Sequence, residues 1–234
     1  MTRSARRRWT RELESEVDGL ALAASGPVVL HVYDPPAEGR WLDNVIPGKL
    51  AALDRQNGDV LWVVPCEVGY GRGFGAGFGE ERDVVVLGPG QVGHRIARMA
   101  LSSGAVLGVQ PTPEFDVALV APDLCLCVGP RAVRAIVTTT MAETWKFGRA
   151  DERYHLAARD GDRVHVVASN RERRLQGLLT LDVAKGRLVA EPLAQKLRVV
   201  HGIAAGAGCL VLVVDDLVAA LPEEEARQAQ LARL

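Results

Sequence analysis

Five short runs of β-branched and other apolar residues punctuate the chain: "PVVLHV" (27–32), "DVVVLG" (83–88), "LCLCVG" (124–129), "RVHVVA" (163–168) and "LVLVVD" (210–215). They recur roughly every forty to fifty-five residues, a period that belongs to repeat architectures. Each run is too short for an ordinary helix and is bounded by Gly, Pro or Asp, so each is predicted to be a strand.

A second run of small and apolar residues precedes each: "VDGLALAA", "GFGAGFGE", "EFDVALVA", "RYHLAARD" and "VHGIAAGA". Tight turns ("SG", "EER", "PD", "DGD", "AG") join the two members of each pair, which predicts five hairpins. A third segment follows each hairpin. In "GKLAALDRQNGDVLW" (48–62) and "GLLTLDVAKGRLV" (177–189) it is an apolar strand ending in Leu-Asp, then a turn closed by Gly58 or Gly186, then a fourth strand. "RIARMALSSGAVLG" (95–108) keeps the glycine as Gly104, "RAIVTTTMAETWKF" (134–147) keeps only the tryptophan, and "LVAALPEEEARQ" (217–228) keeps only the third strand.

Four antiparallel strands per repeat describe a β-propeller blade. The motif L-x-A-L-D-x-x-x-G-x-x-x-W, read from Leu50 to Trp62, resembles the repeat of pyrroloquinoline-quinone-type (PQQ-like) β-propellers. The resemblance implies an all-β chain of about five four-stranded blades in one domain over residues 1–234, with blades near 15–62, 70–109, 113–147, 152–190 and 198–221. It further implies that a strand over 6–13 closes the last blade, which lacks a fourth strand of its own. Residues 222–234 are expected to form a short C-terminal helix, because Pro222 suits a first helical position and Glu223 to Glu225 suit a helix N-terminus. In such propellers the tryptophan closing each repeat packs between blades, which gives Trp9, Trp62 and Trp145 a structural role.

Two glycine patterns invite a phosphate. Gly69 to Gly79 places glycine at every second position, in a first-strand slot where innermost strands crowd together, and this favours close approach over a flexible loop. Gly88-Pro-Gly90-Gln-Val-Gly93 spells the dinucleotide fingerprint G-x-G-x-x-G after a strand, so a Rossmann-like, nucleotide-binding enzyme using Gly88, Gly90 and Gly93 stands as an alternative. Against it, "AVLGVQ" lacks the acidic residue that would hold a ribose, and the segment sits in register with repeats that have no such glycines.

Hydrophobic residues at 48%, charged residues at 24% and a net charge of −1 describe a globular chain with no whole-surface attraction to nucleic acid or anionic membrane. The basic start "MTRSARRRWTREL" leads into no apolar segment, and "CLVLVVDDLVAAL" (209–221) is too short and too acidic to span a bilayer, so a cytoplasmic protein without membrane or nucleic-acid partners is expected. Cys66, Cys125, Cys127 and Cys209 lack a disulfide or metal spacing and are read as free thiols. The separation of Cys125 from Cys127 departs from the vicinal pair of quinone dehydrogenases, so no cofactor is assigned. Asp18, Asp116, His155 and His201 fall in first-strand slots, where a small ligand in the propeller channel is a further alternative; no nucleophile or metal cluster accompanies them in the sequence, and no catalytic residue is assigned.

The functional reading rests on blade geometry. Second-to-third connections and interblade links leave a blade on one side. That side would gather Tyr33, Arg40, Trp41, Tyr70, Arg72, Arg131, Arg171, Arg173 and Arg174. The connection "YDPPAEGRWLDNVIPG" (33–48) exceeds what a blade needs, and its Arg40–Trp41 pair has the composition of an interface hot spot. The expectation is a non-enzymatic protein-interaction scaffold whose arginine-rich face meets an acidic surface of a protein partner. Bacterial propellers that accompany ATPase or kinase systems supply the analogy for that partner.

Overall fold

The computed structural model describes residues 9–13, 15–22, 26–34, 46–70, 74–79, 83–170, 176–197, 199–206, 208–214 and 217–222. They form five antiparallel sheets. The first contains β1 (Glu16–Leu22), β2 (Val28–Tyr33), β3 (Ile46–Leu53) and β4 (Val60–Tyr70); the second β5 (Gly75–Phe78), β6 (Asp83–Pro89), β7 (His94–Ala100) and β8 (Val106–Thr112). The third contains β9 (Val117–Val120), β10 (Leu124–Gly129), β11 (Ala132–Val137) and β12 (Glu143–Phe147); the fourth β13 (Glu152–Asp160), β14 (Arg163–Asn170), β15 (Gln176–Asp182) and β16 (Leu188–Leu197). The fifth has three strands among the described residues: β17 (Val200–Gly206), β18 (Cys209–Val214) and β19 (Leu217–Pro222). Within each sheet the strands pair in chain order, which is the blade topology the repeats predict.

Burial explains why the second strands are so prominent in the sequence. β10 is buried at every position and β6 at all but its last residue, so both faces of these strands demand apolar side chains. The fourth strand of the first sheet is an edge and alternates instead: in β4, Leu61, Val63, Pro65 and Glu67 are exposed while Trp62, Val64 and Cys66 are half-buried. An edge strand accepts Pro65 because it has one unpaired side. β4 runs to Tyr70 and β16 to Leu197, well past the expected blade ends at residues 62 and 190.

The chain divides into two compact units, Met1–Glu114 with Val120–Asp123 and Phe115–Leu119 with Leu124–Leu234. The core of the first packs Val29, Leu50 and Ala52 against Val84, Val86, Ala97 and Met99. The second has one core built from Leu126, Val133, Tyr154, Val164, Val166 and Leu181, and another in which Val167 and Leu178 meet Leu210 and Leu212. Dense packing of β-branched side chains from facing sheets is the main stabilising term in each unit.

One turn recurs between third and fourth strands. Gly58, Gly104 and Gly186 each donate a backbone N–H to the carbonyl four residues back (Asp54, Ala100, Asp182) at 2.7–2.8 Å, with φ of 77°, 71° and 63°. A tryptophan lies on each turn. Trp9, Trp62 and Trp145 donate their indole N–H to the carbonyls of Arg55, Leu101 and Val183 at 2.9, 2.9 and 2.7 Å. A Cβ on Gly58 or Gly104 would stand 2.7 or 2.8 Å from its indole, and one on Gly186 would collide with Trp145. Trp62 and Trp145 thereby join consecutive sheets, as expected. The third sheet makes the same turn with Met141 at φ 56° in place of glycine.

The glycine-rich β5 behaves as crowding predicts: a Cβ on Gly77 would lie 2.5 Å from Val120 of β9. At the termini the described residues show neither the expected closing strand nor the start of a helix. Residues 9–13 are described but belong to no strand, and residues 1–8 lie outside the described set. Pro222 is the last residue of β19, opposite Cys209, rather than the first of a helix, and the expected helical tail at 223–234 lies outside the described residues.

Candidate functional site

The fingerprint Gly88-Pro-Gly90-Gln-Val-Gly93 is a hairpin connection. Gly88 pairs with Arg95 and Pro89 with His94 across antiparallel β6 and β7, and the Gly90 N–H donates to the Gly93 carbonyl at 2.7 Å. Gly93 has φ 67°, the left-handed conformation that closes the loop. A dinucleotide fold needs a helix after these glycines, to present its N-terminal amides to a pyrophosphate. "HRIARMA" is instead β7, paired on both sides, so the Rossmann alternative is corrected: Gly88 is a residue of β6, and Gly90 and Gly93 bound the turn.

Connections and links do leave the sheets on one side within each unit. In the first unit, the connection after Tyr33 returns at Ile46, whose partner is Tyr70 at the end of β4. Gly90 packs close to the Glu67 carbonyl, which brings the β6–β7 turn to the same end. In the second unit, Glu152 at the start of β13 pairs with Asn170, so the end of β14 adjoins the β12–β13 link. Gly148 of that link approaches the β10–β11 turn so closely that a Cβ would lie 2.7 Å from the Arg131 carbonyl.

The expected interaction residues fare differently. Tyr33 is 5% exposed, and its hydroxyl donates to Glu16 Oε2 at 2.5 Å, so it braces β1 against β2 rather than standing open to a partner. Tyr70 ends β4 opposite Ile46. Arg40, Trp41, Arg72, Arg171, Arg173 and Arg174 lie outside the described residues. Arg131 is exposed in the β10–β11 turn.

Around Arg131 a cleft of about 400 Å³ opens, lined by Arg131, Lys146, Gly148, Arg149, Ala150 and Glu152. Arg149 is fixed on several sides. Its guanidinium donates to Glu152 Oε1 at 3.2 Å and to Glu191, and lies 5.9 Å from the Phe147 ring centroid. The Glu191 hydrogen bond is the main cause that pushes its pKa further up. Buried Tyr154 accepts the Arg149 backbone N–H at 2.9 Å and donates to Glu152 Oε2 at 3.0 Å, and burial raises its pKa. Arg131 and Lys146 have no carboxylate within ion-pair reach among the described residues. Lys146 and Arg149 were not singled out by the sequence. Their signal was the basic interblade link "KFGRAD", which follows a short second-to-third turn.

The channel-slot residues form a smaller group. His155 occupies the bulge where the β13 register shifts between Tyr154 and Leu156, and its Nε2 shares a 2.6 Å hydrogen bond with Ser169 Oγ. Burial lowers its pKa, the nearby Asp116 carboxylate opposes that shift, and Arg153 adds to it. His201 sits at the matching bulge of β17, and Asp18 at that of β1. Cys125 and Cys127 are fully buried, and burial pushes the Cys127 thiol up to about 12, which makes it a poor nucleophile and ligand.

No family model matches the chain, and a search of curated proteins finds no relative by sequence. Solved structures match it closely in fold. BamB from Moraxella catarrhalis aligns over 93% of this chain and 74% of its own, with 17% identity and a TM-score of 0.54. The computationally designed Ika8 protein aligns over 86% and 70%, with 16% identity and a TM-score of 0.55. Hydrazine synthase from Kuenenia stuttgartiensis aligns over 91% and 68%, with 9% identity and a TM-score of 0.56. At such identities the likeness is one of fold, and the chain is an all-β protein with a β-propeller fold like that of BamB.

Proposed function

We propose that this chain is a non-enzymatic, cytoplasmic interaction scaffold built of PQQ-type repeats, which binds an acidic surface of a protein partner through the side carrying its second-to-third connections and interblade links. The observation that carries the reading is Arg131: exposed, held beside the link by the close approach at Gly148, and with no carboxylate partner among the described residues. Cations left uncompensated on a rigid scaffold favour encounter with acidic partners and fix their orientation. The long 33–48 connection with Arg40 and Trp41 supplies the anchor, and Arg72, Arg171, Arg173 and Arg174 extend the charge. ATPase and kinase systems are the first place to look for the partner, by analogy with other bacterial propellers.

The test is capture from the native host with the wild type and with Arg40→Ala/Trp41→Ala. The reading expects a specific acidic protein that the variant loses while its melting temperature is unchanged. Capture retained by the double variant would misplace the face. A thermal-shift screen against NAD(P), ATP, PQQ and divalent metals tests the enzymatic readings, and clear stabilisation by any of them would argue against a pure scaffold.

A further inference from the structure

We propose that the cleft between the β10–β11 turn and the β12–β13 link receives a single carboxylate from an acidic stretch of polypeptide, an inference that rests on the scaffold reading above. The charge balance selects the ligand. Arg131, Lys146 and Arg149 line the cleft, while Glu152 and Glu191 both bind Arg149. Three cations against two glutamates leave one net positive charge for the group, and Arg131 and Lys146 are the cations with no carboxylate partner among the described residues. A phosphate dianion would bring a second negative charge up to Glu152 and Glu191. One carboxylate is matched.

Shape points the same way. A cleft of about 400 Å³ accommodates one side chain but lies at the small end of sites that enclose whole ligands. No aromatic ring is among the residues lining the cleft, so it offers no stacking face to a nucleobase. The site is also pre-organised. Tyr154, 0% exposed, holds both the Arg149 backbone and Glu152, and the short approach of Gly148 to Arg131 fixes turn against link. A guanidinium and an ammonium lining one cleft can together grip a carboxylate by charge-assisted hydrogen bonds.

Fluorescence anisotropy with a labelled decaglutamate peptide, and decaglutamine as control, tests this on the full chain. The expected result is binding of decaglutamate alone, weakened at least tenfold in Arg131→Gln/Lys146→Gln and retained in Arg131→Lys/Lys146→Arg, with all variants melting like the wild type. Affinity unchanged in the Gln variant would overturn the cleft and leave the scaffold face standing. No decaglutamate binding, with the natural partner still captured, would overturn it equally. Displacement of the peptide by inorganic phosphate at lower concentration than by acetate would make the site a phosphate site and overturn the carboxylate assignment.

Discussion

The Trp62 indole donates to the Leu101 carbonyl at 2.9 Å, and its ring lies where a side chain on Gly104 would have to go. This contact joins the edge strand of the first sheet to the turn of the second, and it couples one residue's size to another's absence. Gly104→Ala should destabilise the chain by more than the roughly 1–2 kcal/mol that a left-handed backbone costs an ordinary residue, because the added methyl also displaces the indole. Trp62→Ala should cost about 2–3 kcal/mol, below the range for a fully buried aromatic because Trp62 is half-buried. Guanidinium unfolding of both variants is the check, and a neutral outcome for either would mean that the contact contributes little.

Met141 occupies the third sheet's left-handed position, at φ 56°. Four residues beyond each left-handed residue stand Trp62, Gly108, Trp145 and Ala190, so the sheet that precedes Met141 in the chain carries Gly108 where the first carries tryptophan. Without an indole to accommodate, that turn is under no demand for glycine. Met141→Gly should raise stability by up to about 1 kcal/mol by relieving the backbone. Urea denaturation measures it, and a clear loss would assign the methionine side chain a packing role that outweighs its strain.

Trp9 lies on the β3–β4 turn of the first sheet as Trp62 lies on that of the second. Its segment thereby packs on the first sheet although residues 9–13 belong to no strand. Trp9→Ala should cost about 2–3 kcal/mol by the same half-buried aromatic reasoning, and deletion of residues 1–13 should cost at least as much, because it removes the same indole contact. Calorimetry of the truncated chain decides, and unchanged melting would mean that the Trp9 contact contributes little.

Burial keeps the His155 pKa below its ordinary value of 6.5, so the fold favours the neutral ring. Its contribution to stability is complete above pH 6.5 and is lost as pH falls through the lowered folded value. Melting temperatures between pH 7.5 and 4.5 should fall less steeply for His155→Gln than for the wild type. A steeper fall in the variant would show that the folded state holds the charged ring.

The strands were legible because two faces must be filled. β6 and β10 bury nearly every residue and β14 its central five, so these second strands appear as apolar runs and located their repeats. The far halves of β4 and β16 were less legible, because an edge strand alternates and tolerates Pro65, which a sequence reader takes as a terminator. The glycine fingerprint misled in one respect, since the same residues that admit a pyrophosphate also close a four-residue hairpin loop. Arg131 was legible as a turn residue. Lys146 and Arg149 join it only through the contact of Gly148 with the Arg131 carbonyl, which no local pattern announces.

Once a partner has been captured, its affinity measured against salt tests the central claim most directly. The wild type should bind with an affinity that falls steadily as salt rises, and Arg40→Ala/Trp41→Ala should weaken binding at least a hundredfold at low salt, as loss of an anchor in an interface core does. Arg131→Gln should flatten the salt dependence with a smaller loss. An affinity insensitive to salt and to all three substitutions would contradict an arginine-bearing connection face as the binding surface.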